Sequence, residues 1–210
     1  TLLKKHPDAS AVILPSPNYY GICSDIAKIS EVVHKANKIL IVDQAHGAHL
    51  KFFSRFTPDT EIGGHRLPKP AEEQGADIVI NSTHKTLASY TQSAILNVVS
   101  ERIDTDILED RLQAVESSSP SYLLMASMDI NADILEKNGV KLIGEWASNL
   151  KEFYGKAARI PGLRMIQPDG SLDFTKINID MSRYGYTGAE LEKLLMKEGI
   201  YPELSSGNIL

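Results

Sequence analysis

The chain has 210 residues, of which 42% are hydrophobic and 23% charged, a composition typical of a globular protein with one large domain or one domain and the start of another. Its net charge of −5 argues against a basic nucleic-acid-binding surface and against a polybasic membrane patch. No apolar run approaches the roughly 20 residues that span a bilayer. The single cysteine, Cys23, suits a reducing compartment, so we expect a cytoplasmic location.

Short apolar runs of strand length alternate with helical patterns in the first half of the chain. These runs cover residues 11–14, 39–42, 76–80 and 94–99. Continuous apolar runs of this length are typical of strands buried in a parallel sheet. Polar segments that follow them predict turns, and the Pro- and Gly-rich stretch 55–70 predicts a loop.

Helical spacing of apolar residues begins after the first predicted strand and dominates the second half of the chain. Ser24 is the predicted N-cap of the first helix. The alternating residues 176–180 predict one late strand. The predicted helices cover residues 25–36, 104–116, 121–137, 140–158 and 188–198.

Strand–helix–strand alternation predicts an α/β fold with a mostly parallel sheet. In such sheets ligands bind at the carboxyl ends of the strands. The segments that follow the first three predicted strands are rich in chemically active side chains, including an acid, several histidines, a lysine and hydroxyl groups. These segments are 15–21, 43–49 and 81–86.

Each of these residues has an ordinary structural interpretation when it is considered alone. An aspartate at a strand end usually caps a turn, and an isolated lysine is usually exposed to solvent. His46 and His49 have a metal-like spacing only on a helix, and a third ligand is missing, so we predict no metal site. A serine hydrolase would need a Gly-x-Ser-x-Gly elbow, and this sequence has neither that motif nor a phosphate-binding Gly-x-x-x-x-Gly-Lys loop.

The combination of motifs is far more specific than its parts. Asp43-x-Ala45-His46-Gly47-x-His49, followed after a strand by Ser82-x-His84-Lys85, closely resembles the large domain of the ornithine/lysine/arginine decarboxylases. These enzymes belong to the aspartate-aminotransferase-like, fold type I superfamily that uses pyridoxal 5′-phosphate. The resemblance weakens after about Gly155, and before that it extends through Pro17-x-Tyr19-Tyr20-Gly21 and residues 75–77, 91–94 and 118–127.

The resemblance implies a three-layer αβα large domain over residues 1–180, with 181–210 as the start of a small domain. It also implies that the chain is partial. The first residue is not Met and Leu210 lies in an apolar stretch, so we expect parts of the active site, including an upstream phosphate loop and an aromatic or histidine that stacks on the cofactor, to lie outside these residues.

In this family pattern Lys85 forms the Schiff base with the cofactor, and a lysine can do so only when its amine is deprotonated. Asp43 would lie beside the ring nitrogen and keep it protonated, which makes the ring an electron sink. His46 would lie beside the ring and orient it.

Three further cofactor contacts are implied by the same resemblance. Ser82 would hydrogen-bond the phosphate, and His84 would contact cofactor or substrate. Ser118 or Ser119 would reach the phosphate across a dimer interface, so we expect a homo-oligomer, at least a dimer.

The resulting expectation is decarboxylation of lysine, ornithine or arginine in polyamine-related metabolism. Alternatives are another enzyme on the same fold, such as an aminotransferase or an aldolase-type lyase, and a catalytically silent relative. The Ser-x-His-Lys motif argues against most of the first group. Gln44, where the family usually has Glu, and Asn81 depart from the family pattern, and Glu203 lies near a family acid of uncertain role.

Overall fold

A computed structural model describes residues 2–165, 171–207 and 209–210, and it contains helices, strands and two short 3-10 turns at Ala71–Glu73 and Ser182–Tyr184. The helices are α1 (Leu2–Lys5), α2 (Ile26–Lys35), α3 (Leu50–Phe56), α4 (Thr83–Thr86), α5 (Thr105–Val115), α6 (Tyr122–Ala157) and α7 (Gly188–Lys197). The strands are β1 (Ala11–Pro15), β2 (Ile22–Cys23), β3 (Ile39–Asp43), β4 (Glu61–Ile62), β5 (His65–Arg66), β6 (Ile78–Asn81), β7 (Ile95–Val98), β8 (Arg164–Met165), β9 (Ser171–Leu172) and β10 (Ile179–Asp180).

The central sheet has the strand order β1-β3-β6-β7. The pairs β1–β3 and β3–β6 are parallel, whereas β7 is antiparallel to β6. Pro15 pairs with Asp43, and Asp43 pairs with Ile80, so the carboxyl ends of the three parallel strands lie side by side. The predicted α/β fold with a mostly parallel sheet is confirmed.

Helix α2 packs against one face of this sheet. Ile26 and Val33 of the helix are at most 2% exposed and contact the same core as Leu40, Val42 and Val79. On the opposite face Ile13 is 69% exposed. Helix α2 therefore covers one face of the sheet. Among the described residues, the other face is exposed to solvent at strand β1.

The N-cap of α2 is Asp25, so the prediction of Ser24 is wrong. The Asp25 carboxylate accepts a hydrogen bond from the Lys28 amide at 3.1 Å. A carboxylate in this position satisfies an amide that has no partner within the helix and interacts favourably with the helix dipole. Ser24 instead donates its own backbone amide to the Ser16 hydroxyl at 3.0 Å.

The two helices predicted over 121–137 and 140–158 are a single 36-residue helix, α6. The predicted break between residues 137 and 140 is wrong. Gly139 lies inside the helix, against the Phe56 ring of α3, where a Cβ would overlap the ring. Leu135, Ile143 and Leu150 continue the same buried face on both sides of it. Close packing of α3 thus explains the glycine.

Two shorter predictions also change. The predicted loop 55–70 contains the end of α3 and the β4–β5 hairpin, whose turn residues Gly63 and Gly64 have φ values of 59° and 82°. The predicted strand 176–180 narrows to β10, because residues 176–178 face a cavity instead of a partner strand. No helix in the described ranges is long and apolar enough to cross a membrane.

Candidate active site

A cavity of about 970 Å³ lies beyond the carboxyl ends of the parallel strands. Its walls come from the loop after β1, the loop after β3, helix α4, Phe153 of helix α6, residues 175–179 and residues between 195 and 206 and at 209–210. Of the predicted site residues, His46, His84 and Lys85 line it. The cavity therefore lies where the sequence predicted a ligand site, at the carboxyl ends of the parallel strands.

Helix α4 holds Lys85 at the end of β6. The single turn is tied to the chain that follows it, because the Thr83 amide and the Thr83 hydroxyl both donate to the Ser93 carbonyl, at 3.1 and 3.2 Å. His84 Nδ1 lies 2.8 Å from the same carbonyl. Since a carbonyl only accepts, Nδ1 carries the proton, and Nε2 of a neutral His84 is left as an acceptor.

Lys85 contacts His46 directly. The distance from Lys85 Nζ to His46 Nε2 is 3.1 Å, and the Tyr19 ring meets His46 edge-on with ring centroids 4.9 Å apart. Burial, followed by the positive charges of Lys85 and Lys176, lowers the pKa of His46. His46 is therefore neutral at pH 7, and its Nε2 can accept a hydrogen bond from Lys85 Nζ. The Lys85 side chain itself is exposed to solvent.

The loop that carries His46 is fixed by close backbone packing. The Gly47 amide donates to the Gln44 carbonyl at 2.8 Å. A Cβ on Gly47 would lie 2.6 Å from Pro17 Cδ and 2.9 Å from Gln44 Cγ, closer than real Cβ atoms approach. The glycine is thus required for the loop after β1 and the loop after β3 to meet.

Asp43 and Ser82 lie at the adjoining ends of β3 and β6 but are not among the residues that line the cavity. Asp43 is exposed, and its Oδ1 accepts the Ala45 amide at 3.0 Å. Its negative charge acts on His46, opposing the two lysines. Ser118 is exposed on the segment between α5 and α6, away from the cavity. The structure thus brings Asp43 close to His46 and leaves Ser118 outside.

Tyr19, Lys176 and Glu203 also line the cavity, and the sequence assigned them no role. The Tyr19 hydroxyl donates to Glu203 Oε1 at 2.6 Å across 184 positions of sequence. This hydrogen bond, with a smaller effect of burial, raises the pKa of Tyr19. Tyr19 follows the end of the first strand, so its position at a strand end could have marked it as a site residue. No local pattern marks Lys176, and Glu203 was noted in the sequence only as lying near a family acid of uncertain role.

His49, the last residue of the Asp43–His49 motif, has a different partner from His46. Its Nε2 lies 2.9 Å from Asp173 Oδ2, and both side chains are fully buried. The Thr175 hydroxyl donates to Asp173 Oδ1 at 2.7 Å. Burial opposes ionisation of Asp173, but His49 and Thr175 outweigh it and lower the pKa of this carboxyl. The pair thus fastens the His46 loop to the cavity wall at Thr175.

We expect Asp173→Asn to reduce the free energy of unfolding by roughly 3–5 kcal/mol, because it removes the charge of one partner in a buried pair. The Asp173 carboxylate contributes stability above its unfolded-state pKa and loses it as the pH falls through the lower folded-state pKa. The difference between variant and wild type should therefore persist at pH 5 and shrink below about pH 4.

Urea denaturation of the complete protein at several pH values measures this difference. Asp133→Asn is the matched control, since it breaks an exposed helical pair with Lys137 and should cost less than about 1 kcal/mol. Equal losses in the two variants would contradict the assignment of Asp173 as a buried anchor.

Comparison with known proteins places this geometry in context. The family model described as Orn/Lys/Arg decarboxylase, major domain, matches residues 1–176. The chain is 33% identical over 211 residues to the uncharacterized protein YaaO of Bacillus subtilis, covering 98% of this chain and 42% of that protein. It is 32% identical over 211 residues to an arginine decarboxylase of the same organism, covering 97% of this chain and 41% of that protein.

A solved structure shares the fold. The constitutive lysine decarboxylase of E. coli superposes with a TM-score of 0.71 at 19% identity, covering 96% of this chain and 33% of that one. The chain thus spans about two fifths of the length of the curated relatives it matches and a third of this structural neighbour.

Proposed function

Because this chain belongs to the Orn/Lys/Arg decarboxylase family, we propose that it forms the cofactor-binding part of a pyridoxal-phosphate enzyme that decarboxylates a basic amino acid. The substrate would be arginine, lysine or ornithine, and the products the corresponding amine and carbon dioxide, in polyamine-related metabolism. One observation carries the proposal: Lys85 meets a neutral His46 in a cavity that also contains the carboxylate of Glu203.

The residues present fit this cofactor. Within the described part of the chain Lys85 makes no ion pair with a carboxylate that would hold it as an ammonium, and its Nζ contacts the His46 ring. Once it loses its proton, the Lys85 amine can act as a nucleophile. Among the residues that the structure describes, only the Ala45 amide donates to the Asp43 carboxylate, at Oδ1. When bound, pyridoxal phosphate supplies an aldehyde that captures amines and a protonated ring that accepts the electron pair left when carbon dioxide departs.

Each residue then has a distinct task. Lys85 would hold the cofactor covalently, and His46 would aim the Lys85 amine and pack beside the ring. Asp43, at the end of β3, would keep a proton on the ring nitrogen. Ser82 would donate to the phosphate, and His84 would accept from cofactor or substrate through Nε2.

The part of the cavity wall around Glu203 favours a basic substrate. Glu203 supplies a carboxylate, and apolar side chains around it, including Ile177 and Leu204, can pack against an aliphatic stem. A guanidinium or ammonium group forms charge-assisted hydrogen bonds with such a carboxylate. We include Glu203 in the proposal as the group that binds the distal charge, on a segment, 181–210, that we propose begins the small domain.

We propose that the protein acts as a homo-oligomer in the cytoplasm. Tyr122 and Leu123 at the start of α6 are 80% and 74% exposed, and Ile130 on the same helix is 59% exposed. Apolar surface of this kind marks interaction sites. A second copy docked there would cover the neighbourhood of Ser118 and could bring that hydroxyl to the phosphate. Sedimentation of the complete protein as an active monomer would refute this arrangement.

The test of function is a product assay. The complete protein is incubated with pyridoxal phosphate and with arginine, lysine or ornithine separately, and carbon dioxide and the amine are quantified. Arginine is tested first because the Bacillus subtilis relative that is 32% identical to this chain is an arginine decarboxylase. A keto acid product would indicate an aminotransferase, and a protein that neither binds the cofactor nor yields product would be a silent relative. Either result contradicts the proposal.

Glu203→Gln should raise KM for the basic substrate roughly 10- to 100-fold, since a hydrogen bond to a charged group contributes about 1.5–3 kcal/mol. The value of kcat should change less, because the distal group lies away from the reacting carbon. The measurement is kcat and KM with arginine and with its neutral isostere citrulline.

Glu198→Gln is the matched control, since Glu198 is exposed at the end of α7 and does not line the cavity. Loss of discrimination between arginine and citrulline in Glu203→Gln alone supports the assignment. An unchanged ratio of the two kcat/KM values would show that Glu203 does not bind the distal charge.

A further inference from the structure

Gln44 and Asn81, the two departures from the family pattern in the sequence, contact each other at the edge of the sheet. Gln44 directly follows Asp43, and Asn81 directly precedes Ser82. Gln44 is 1% exposed and Asn81 is 6% exposed. The Gln44 backbone amide also donates to the Ile80 carbonyl at 2.8 Å. The two residues therefore lie where β3 and β6 lead into the proposed cofactor-binding segments.

Their side chains form one network with Glu72. The Gln44 Nε2 group donates to Asn81 Oδ1 at 3.0 Å and to Glu72 Oε2 at 2.9 Å. Asn81 Nδ2 donates to Glu72 Oε1 at 2.7 Å. Gln44 Oε1 accepts the Ala71 amide at 2.7 Å. Both amide groups of the network are thus used as donors and as acceptors.

The network contains one carboxylate and no cation. Within the described ranges Glu72 forms no ion pair, and its charge is instead met by amide donors from Gln44, Asn81 and, at 3.4 Å, Asn97. A glutamate at position 44 would remove two donors and bring a second carboxylate against Glu72. Like charges in a half-buried site are unfavourable, so one of the two would have to bind a proton.

We propose that Gln44, Asn81 and Glu72 are positioning residues that hold the ends of β3 and β6 together, so that Asp43 and the Ser82–Lys85 turn keep a fixed separation. The amide donors of Gln44 and Asn81 complement each other's acceptors and the Glu72 carboxylate. The effect on the cofactor rests on the proposed function, whereas the effect on the two strand ends does not.

The experiment moves the carboxylate of the network from position 72 to position 44. Gln44→Glu, Glu72→Gln and the double variant Gln44→Glu with Glu72→Gln are compared with wild type in the complete protein. Gln44→Glu should lower Tm by roughly 5 °C or more at pH 7, and the loss should disappear below about pH 4, where carboxyl groups are protonated. The double variant again has one carboxylate in the network and should recover most of the lost Tm at pH 7.

Two further readouts separate positioning from stability. At a temperature where every variant is folded, amide hydrogen exchange of residues 43–46 and 82–86 should quicken in Gln44→Glu and recover in the double variant. The dissociation constant for pyridoxal phosphate should rise about 10-fold, a change of about 1.4 kcal/mol, and recover in the same way. Glu73→Gln is the matched control, because Glu73 lies on the same turn but pairs with the exposed Lys51.

Unchanged hydrogen exchange in Gln44→Glu, or a double variant no better than the single ones, would overturn the proposal. A lower Tm with unaltered hydrogen exchange would mean that the network contributes only to stability, which would also overturn the positioning proposal. Failure of the wild-type protein to bind pyridoxal phosphate would refute the proposed function, and in that case hydrogen exchange still decides whether the network positions the strand ends.

Discussion

Replacement of Lys85 by alanine is expected to reduce amino-acid turnover by at least about 1,000-fold, equivalent to about 4 kcal/mol of transition-state free energy. The reason is that the amine of Lys85 is the group proposed to bond the cofactor and later to release the product. Lys176 also lines the cavity, but it is Lys85 Nζ that contacts His46 at 3.1 Å. We therefore expect no other amine to take over.

The measurement combines turnover with chemical trapping. Borohydride reduction of the protein with pyridoxal phosphate should place the cofactor mass on the peptide that contains Lys85, and Lys85→Ala should remove this label. Lys85→Arg is the matched control, because it keeps a cation beside His46 but lacks a nucleophilic amine, and it should be equally inactive. A label on Lys176 in the wild-type protein would show that the cofactor has been assigned to the wrong residue.

Replacement of Asp43 by alanine should lower turnover by roughly 100- to 1,000-fold, since loss of one member of a charge pair that bound cofactor would bury costs about 3–5 kcal/mol. Covalent attachment at Lys85 should survive, because Asp43 acts on the ring nitrogen and not on the aldehyde. Asp43→Ala thus separates the electron-accepting function of the ring from covalent attachment of the cofactor to Lys85.

Asp43→Asn sharpens this test. The asparagine Oδ1 can still accept the Ala45 amide, so the turn after β3 is kept while the negative charge is lost. A rate as low as that of Asp43→Ala would assign the effect to charge. His46→Ala should be milder than either change, since His46 orients the ring without holding its proton. Near-normal turnover in Asp43→Asn would contradict the role given to this carboxylate.

Much of the sheet and part of the site followed from residue order alone. The apolar runs before Asp43 and Ser82 predicted neighbouring parallel strands, and parallel strands place their carboxyl ends together. For this reason the contact between His46 and Lys85 could be anticipated although the residues are 39 positions apart. The antiparallel direction of β7 could not, because an apolar run has the same pattern in either direction.

Contacts between distant segments had no sequence signal. The pairing of His49 with Asp173 depends on how residues 171–175 approach the loop after β3, and nothing in either segment indicates the other. The Tyr19–Glu203 hydrogen bond is similar. Two helices were predicted on either side of residues 138–139, whereas α6 continues through them and Gly139 packs against Phe56.

The sequence by itself thus determined the α/β class and the neighbouring strand ends that bear Asp43, His46, Ser82 and Lys85, because local periodicity and strand direction suffice for these. The tertiary structure alone decided which partners complete the site: Asp173 for His49, Glu203 for Tyr19, and Glu72 for Gln44 and Asn81. The physical reason is that hydrogen bonds and ion pairs act over a few ångströms, and only the folded chain brings such groups within that range.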